Sequence, residues 1–330
     1  MRLSSALVGS VVATAAKIPQ QSPAGSDNDW TNNSIKPIEP VPAPWSLHGT
    51  VYSIASVLPP SELPTKAYAP LERADAAYTT ADAYVGLLGM IQIIRYTDSP
   101  VGPYDELLMI PGYFKYPHVD AEGRESERLN PSITRIYVSQ RYTAKNGRMI
   151  NAVVFGANDA SPPLPIDWNI PKHLAKFDWT EDENGSTTVK VYPFDTMGDA
   201  AESGPAGLPF FQTTFAPILD GLPYSTDLYE WIGINATLAQ PPLPAGPGSR
   251  HSELAGTSQW RAVVPGQASE CSSLGLFDLG QGRGDAVGNT GKNAVGDEVF
   301  PNFWPGMPRM NLGLRMDNAR ISFGSPEIWG

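Results

Sequence analysis

Lys172 stands in the run Trp168-Asn169-Ile170-Pro171-Lys172-His173-Leu174-Ala175-Lys176-Phe177, an amine among mostly apolar and aromatic side chains. Apolar surroundings disfavour the charge of an ammonium group. Only the neutral amine attacks a carbonyl carbon and forms a Schiff base. The same residues also read as a helix start: Pro171 suits the first helical position, and Leu174 and Phe177 form an i, i+3 apolar pair. A second stretch, Ser99-Pro100-Val101-Gly102-Pro103-Tyr104-Asp105-Glu106-Leu107-Leu108, places a carboxylate, Glu106, ahead of the apolar run Met109-Ile110-Pro111-Gly112-Tyr113-Phe114. A carboxylate beside a reactive amine moves protons. Read without the lysine, Glu106 is a solvated carboxylate at a strand edge and His173 an ordinary surface or helix-end histidine.

Together the two segments resemble the acetoacetate decarboxylase-like superfamily, with this chain similar to a divergent, fungal-type member. The resemblance runs from about Trp45 to about Phe323. In that family a Gly-x-Tyr-x-Glu element carries an acidic residue to the active site; Gly102, Tyr104 and Glu106 match it. A later Pro-Lys pair, here Pro171-Lys172, carries the Schiff-base lysine. The resemblance therefore implies Lys172 as nucleophile and Glu106 as the acid. His173 stands where the family's decarboxylase has a second lysine, and is expected to tune Lys172 or act as a general base. Its positive charge depends on protonation, at about pH 6.5 when unperturbed. Tyr104 and Arg141 are expected to bind substrate.

Two departures shape the expected chemistry. The decarboxylase has a second glutamate on the strand ahead of the glycine element, where Gly89-Met90-Ile91-Gln92-Ile93-Ile94 offers Ile91 or Gln92. It also has an N-terminal arginine, and Trp45-Ser46-Leu47-His48-Gly49-Thr50-Val51-Tyr52 contains none. Arg141 is the candidate replacement. The expected function is a lysine-dependent lyase acting on a ketone, β-keto acid or polyketide-like small molecule. Decarboxylation and aldol or dehydration chemistry both remain open, the latter needing neither missing group in the same way. The alternative is a non-catalytic small-molecule-binding protein that retains the barrel. A common α/β serine hydrolase is disfavoured, because no Gly-x-Ser-x-Gly elbow occurs.

The elements that must position these residues follow from composition and periodicity. Among 330 residues, 33 Pro and 31 Gly favour turns and short strands over long helices. Strands are expected at His48–Val57, Ala83–Tyr96, Glu106–Phe114, Ser132–Tyr142, Ser258–Pro265 and Leu312–Phe323. A hairpin is expected from Phe177–Thr180 to Thr187–Pro193 across Asn184-Gly185, with a further turn at Lys145-Asn146-Gly147-Arg148. Thr226 to Leu238 reads as a strand or short helix. The fold class is α+β, mainly antiparallel β. The resemblance makes it a cone-shaped β-barrel with peripheral helices, able to bury a lysine beside an enclosed cavity.

A net charge of −11 without any basic run argues against nucleic acid. The single cysteine, Cys271, excludes an intrachain disulfide, and the scattered His48, His118, His173 and His251 offer no metal-ligand spacing. No cofactor or metal is expected, and the expected partner is a small-molecule substrate; the resemblance also allows a homo-oligomer. Arg2 followed by the mildly apolar stretch Leu3 to Ala16 reads as a signal peptide over 1–16, hence secretion or the secretory pathway, with a cytoplasmic extension as the alternative. Residues 17–44 read as a flexible Pro/Ser/Asn-rich leader and 45–330 as one domain, with 149–167 an insertion relative to the family. No stretch is long enough for a membrane span. The Gly-rich segment 280–297 reads as a loop; its Gln281-Gly282-Arg283-Gly284 lacks the strand and helix of a phosphate loop.

Overall fold

The structure, a computed structural model, describes residues 38, 40–58, 63, 65–148, 168–194, 206, 207, 209–246, 254–279 and 310–330. The signal peptide expected at 1–16, most of the leader, the 149–167 insertion and the Gly-rich 280–297 segment lie outside the described residues. In chain order the strands are β1 (Trp45–Leu58), β2 (Ala83–Asp98), β3 (Tyr104–Ile110), β4 (Tyr113–Val119), β5 (Glu125–Pro131), β6 (Arg135–Val138) and β7 (Lys172–Glu181). They continue with β8 (Thr187–Pro193), β9 (Phe211–Ser225), β10 (Leu238–Gln240), β11 (Trp260–Val263), β12 (Pro265–Asp278), β13 (Leu312–Phe323) and β14 (Glu327–Trp329). Short helices α1 (Pro70–Ala74), α2 (Ala76–Thr79), α3 (Arg141–Arg148) and α4 (Asp227–Trp231) lie between them.

The main sheet runs β1-β13-β12-β9-β8-β7-β6-β3-β2, and β2 pairs back onto β1, so these nine strands close a ring. Closure removes two open edges. The β4–β5 hairpin extends outward from the start of β2, and β10, β11 and β14 form a separate small sheet. The expected β-barrel with few peripheral helices is what the chain forms. All ring pairings are antiparallel except β6–β7, where Ile136 faces Lys172 and Val138 faces Leu174 in parallel register. A parallel pair needs a crossover, not a hairpin. Helix α3 lies in that crossover.

Four local expectations are corrected here. The strand read over Ser132–Tyr142 shortens to β6, because the chain turns into α3 at Arg141. Gln140 drives that turn: its Oε1 accepts from the Thr143 N–H at 2.9 Å, capping the helix start. The turn read at Lys145–Arg148 is the last turn of α3. The helix start read at Pro171 is instead the start of β7. Proline has no N–H to offer a sheet, so it sits just ahead of the strand. The strand read over Glu106–Phe114 breaks at Pro111-Gly112 into β3 and β4.

Strand pleating sorts side chains to two covered faces. One face holds Ile94, Tyr96, Tyr104, Leu108, Ile136 and Val138 in a single apolar core; the other holds Ile93, Leu107, Met109, Tyr137, Ala175 and Val191. Every residue of β3 is buried, which explains its near-continuous apolar run. Strand β8 instead buries only alternate residues. The chain already packs ahead of Trp45: Ile38 is buried in the first core, and the Val41 N–H donates to Asn146 Oδ1 at 2.7 Å. Among the described residues no helix is long and apolar enough to cross a membrane.

Candidate active site

The register of β2, β3, β6 and β7 brings Lys172 and Glu106 to one face. Glu106 pairs with Ile94 on β2 and with Val138 on β6, and Lys172 faces Ile136 on β6. The Lys172 Nζ lies 2.9 Å from Glu106 Oε2 and donates to Thr143 Oγ1 at 2.9 Å. The second carboxylate oxygen, Glu106 Oε1, accepts from the Tyr96 hydroxyl at 3.1 Å. The amine is 5.2 Å from the centroid of the Tyr104 ring, which stands 4.4 Å from the Tyr96 ring. Lys172 is 4% exposed and Glu106 2%, so the pair is shielded from bulk water. Burial, then the Glu106 charge, pushes both Tyr96 and Tyr104 well above the usual phenol range. Both rings therefore keep their protons, and Tyr96 acts as a donor to Glu106.

Flanking segments hold the lysine from both sides. Thr143 sits in α3, one turn ahead of Gly147. A Cβ at Gly147 would stand 2.8 Å from both Cδ and Cε of Lys172, so the missing side chain is the channel for the lysine stem. The Ile170 N–H donates to the Gly147 carbonyl at 3.0 Å. Asn169 adopts a left-handed φ of 53°, a conformation asparagine tolerates better than most residues. Its Nδ2 donates to the Gln259 carbonyl at 2.6 Å and the Pro241 carbonyl at 3.1 Å. Trp168 Nε1 donates to the Gly324 carbonyl at 2.9 Å. The polar residues of this motif thus serve to fix where Lys172 begins.

His173 follows Lys172 on a strand, so its ring leaves on the opposite face. It joins a separate buried cluster rather than the amine. His173 Nε2 lies 2.7 Å from Glu72 Oε2, and Arg148 Nη1 lies 2.9 Å from Glu72 Oε1, with all three side chains fully buried. Arg148 also donates to the carbonyls of Pro244 at 2.8 Å and Ala255 at 3.2 Å. Burial alone raises the Glu72 carboxyl, but the charges and hydrogen bonds of His173 and Arg148 overcome it and hold the group at about 2. Arg141 opens α3 and is half-buried; the strand position expected for it does not exist, and it does not line the cavity.

A cavity of about 70 Å³ adjoins Glu106, smaller than the roughly 300–1,000 Å³ of drug-sized pockets. Met90, Ile94, Leu108, Ile110, Tyr229 and Ile234 are among its apolar lining. Glu106 lines the cavity; Lys172 stands beside Glu106 and not in the lining. Among the described residues no lysine, arginine or histidine lines it. Gln92 and Gln267 do, and their carboxamides exchange two hydrogen bonds of 3.0 Å. Of the expected site residues, the structure brings together Lys172, Glu106 and Tyr104. Sequence reading missed Tyr96, Thr143, Glu72, Arg148 and Gln267. Tyr96 was recoverable from β2–β3 register, since it pairs with Tyr104. Thr143 carried no signal while its segment read as a strand. No group of residues suited to a metal occurs among the described residues.

No protein-family model matches the chain, and no curated protein matches its sequence. Two solved structures are similar to it over most of their length. One is an acetoacetate decarboxylase from Legionella pneumophila subsp. pneumophila str. Philadelphia 1, with 12% identity, a TM-score of 0.49, and 92% of this chain and 94% of that chain covered. The other is an acetoacetate decarboxylase-like enzyme from Sphingomonas wittichii RW1, with 9% identity, a TM-score of 0.45, and 88% and 94% covered.

Proposed function

We propose that this protein is a lysine-dependent lyase that forms a Schiff base at Lys172 with a ketone, β-keto acid or polyketide-like small molecule. The observation that carries the reading is the buried Lys172 amine, 2.9 Å from both Glu106 and Thr143, beside an apolar cavity that Glu106 lines. Proton transfer between Lys172 and Glu106 within the pair leaves a neutral amine and a carboxylic acid. The amine adds to the carbonyl carbon and gives up one proton to the oxygen; Glu106 supplies the second, and the oxygen departs as water. The resulting iminium accepts an electron pair from a breaking bond on the neighbouring carbon. In decarboxylation that bond joins a carboxylate, which leaves as CO2. In aldol or dehydration chemistry it is a C–H bond, and Glu106 takes the proton. Thr143 positions the amine, and Tyr96 holds Glu106 through its other oxygen. Hydrolysis of the product iminium restores Lys172.

Borohydride trapping over a panel of small ketones and β-keto acids tests this, read by intact mass and peptide mapping. The expected result is a substrate-dependent adduct on Lys172 that is absent from Lys172→Ala. A folded protein that binds panel members equally well with and without Lys172, and gives no adduct, would instead be a small-molecule-binding protein. The placement of Glu106 in the lining, with Lys172 beside it, is what keeps that second reading in view.

A further inference from the structure

We infer that the cavity selects an uncharged carbonyl compound with a second oxygen function, and that Gln92 and Gln267 are the residues that select it. The inference rests on the Schiff-base reading and narrows its substrate class. A carboxylate entering an apolar cavity loses its hydration and needs a cation or several donors in return. Among the described residues this lining offers no cation, and its carboxylate, Glu106, gives a second one no support. Lys172 is already paired with Glu106. A substrate carboxylate therefore loses its hydration without an unpaired cation in return. An uncharged oxygen asks for one hydrogen bond, and the amide pair can supply it.

The hydrogen-bond inventory of that pair is incomplete. A glutamine carboxamide has two N–H donors and two acceptor lone pairs. Gln92 Nε2 donates to Gln267 Oε1 at 3.0 Å and approaches Ser53 Oγ at 3.5 Å. Gln267 Nε2 donates to Gln92 Oε1 at 3.0 Å, which uses one of its two N–H groups. One Gln267 N–H and a lone pair on each oxygen remain for a ligand. Both residues are under a tenth exposed, and the bond ties β2 to β12, which are not ring neighbours. Gln92 is one pair along from Ile94, the register partner of Glu106, on the same face. Diagonal neighbours of this kind lie roughly 7–8 Å apart. A substrate whose carbonyl meets Lys172 can thus place an oxygen a few bonds away on the amides.

The chemistry follows from the absence of a carboxylate on such a substrate. Once the iminium forms, its neighbouring C–H bond breaks and the proton passes to Glu106. The bond's electron pair becomes the C=C of an enamine as the iminium nitrogen is neutralised. The proton on Glu106 exchanges with solvent and returns to the enamine carbon, or the enamine expels a β-hydroxyl that Glu106 protonates to water.

The test compares two four-carbon ketones, 4-hydroxybutan-2-one and acetoacetate, by borohydride trapping on the full chain and by deuterium exchange of α-hydrogens in D2O. Butanone is included as a ketone without a second oxygen. Wild type is expected to favour 4-hydroxybutan-2-one over acetoacetate by at least tenfold. In Gln92→Leu/Gln267→Leu, which removes both amides together and leaves neither unpaired, that ratio should fall toward one. Gln267→Leu alone gives an independent second variant. Equal or better trapping of acetoacetate by wild type overturns the inference, as does a ratio that survives both variants. If no ketone, butanone included, gives an adduct, the Schiff-base reading fails. Selection is then read from ligand-induced thermal shifts of Lys172→Met. A preference for the uncharged ketone there sustains the inference; no binding or no preference overturns it.

Discussion

At the residue scale, the candidate site centres on a lysine whose position is set by what surrounds its stem. Gly147→Ala places a methyl group where Cδ and Cε of Lys172 run, at 2.8 Å. The stem is flexible and can swing aside, so the fold should tolerate the change while the amine leaves Glu106. Catalytic groups misplaced by about 1 Å commonly lose around a hundredfold in rate. Trapping by Gly147→Ala is therefore expected to fall at least tenfold with the thermal midpoint within a few degrees of wild type. A large loss of stability with normal trapping per folded molecule would contradict that account. Glu106→Gln keeps the shape but exchanges one acceptor oxygen for an NH2 donor and cannot carry the proton. Deuterium exchange of ketone α-hydrogens should fall about 10²–10⁴-fold, the usual worth of a positioned acid or base. Lys172, Glu106 and Tyr104 were legible in the sequence because their spacing matches short motifs. The face to which a side chain points was not. One residue of parity on β7 separates the amine of Lys172 from the His173 ring, and only the strand assignment reveals it.

At the element scale, the buried cluster of Glu72, His173 and Arg148 ties α1 to the start of β7 and the end of α3. Removing one member leaves buried charge unpaired, at a cost of about 3–5 kcal/mol. Its pH dependence has a definite sign. Glu72 is held at about 2 against an ordinary 4.5, a depressed carboxyl. Its stabilisation is complete above about pH 4.5 and is lost as pH falls through 2. Asp105 behaves oppositely. Burial raises it from 3.8 to about 6, outweighing the opposing charge of Arg95. A raised carboxyl favours the protonated folded state, so its contribution declines as pH rises from 3.8 through 6. Urea unfolding across pH checks both. Glu72→Gln should lose stability at pH 7 and show a flatter acid limb than wild type. Asp105→Asn should gain relative to wild type at pH 8, by roughly 1–3 kcal/mol, and show little difference at pH 3. An equal offset at both pH values would rule out the titration of Asp105 as the cause. The long strands β1, β2 and β13 were readable because alternation and β-branching persist over many residues. Helix α3 was not, because Ser132–Tyr142 alternates like a strand and nothing local announces that Gln140 caps a helix.

At the scale of the whole molecule, closure of the ring and assembly of the site are one event. Strand β1 is the closing member, pairing with β13 on one side and β2 on the other, and both registers shift around Gly49. A closed barrel was implied by the family resemblance, but no local pattern says which distant strand completes it. Gly49 faces Tyr96 on β2, the residue that donates to Glu106. A Cβ there would collide with the Arg95 carbonyl and stand 2.9 Å from the Tyr96 Cα. These are backbone atoms inside a hydrogen-bonded sheet, so they cannot swing away as the Lys172 stem can. Gly49→Ala is therefore expected to destabilise the fold by about 1–3 kcal/mol, the range for overpacking. It should also weaken trapping at Lys172, because relief of the collision moves β2 at Tyr96. Urea titrations followed by tryptophan fluorescence and by residual trapping should give coincident midpoints, both below wild type. Separate midpoints, with the site lost well before the fluorescence transition, would show that site and ring are uncoupled. The contrast with Gly147→Ala carries the argument. One glycine makes room for a side chain and the other for a neighbouring strand, so only the second substitution should affect activity and folding in the same step.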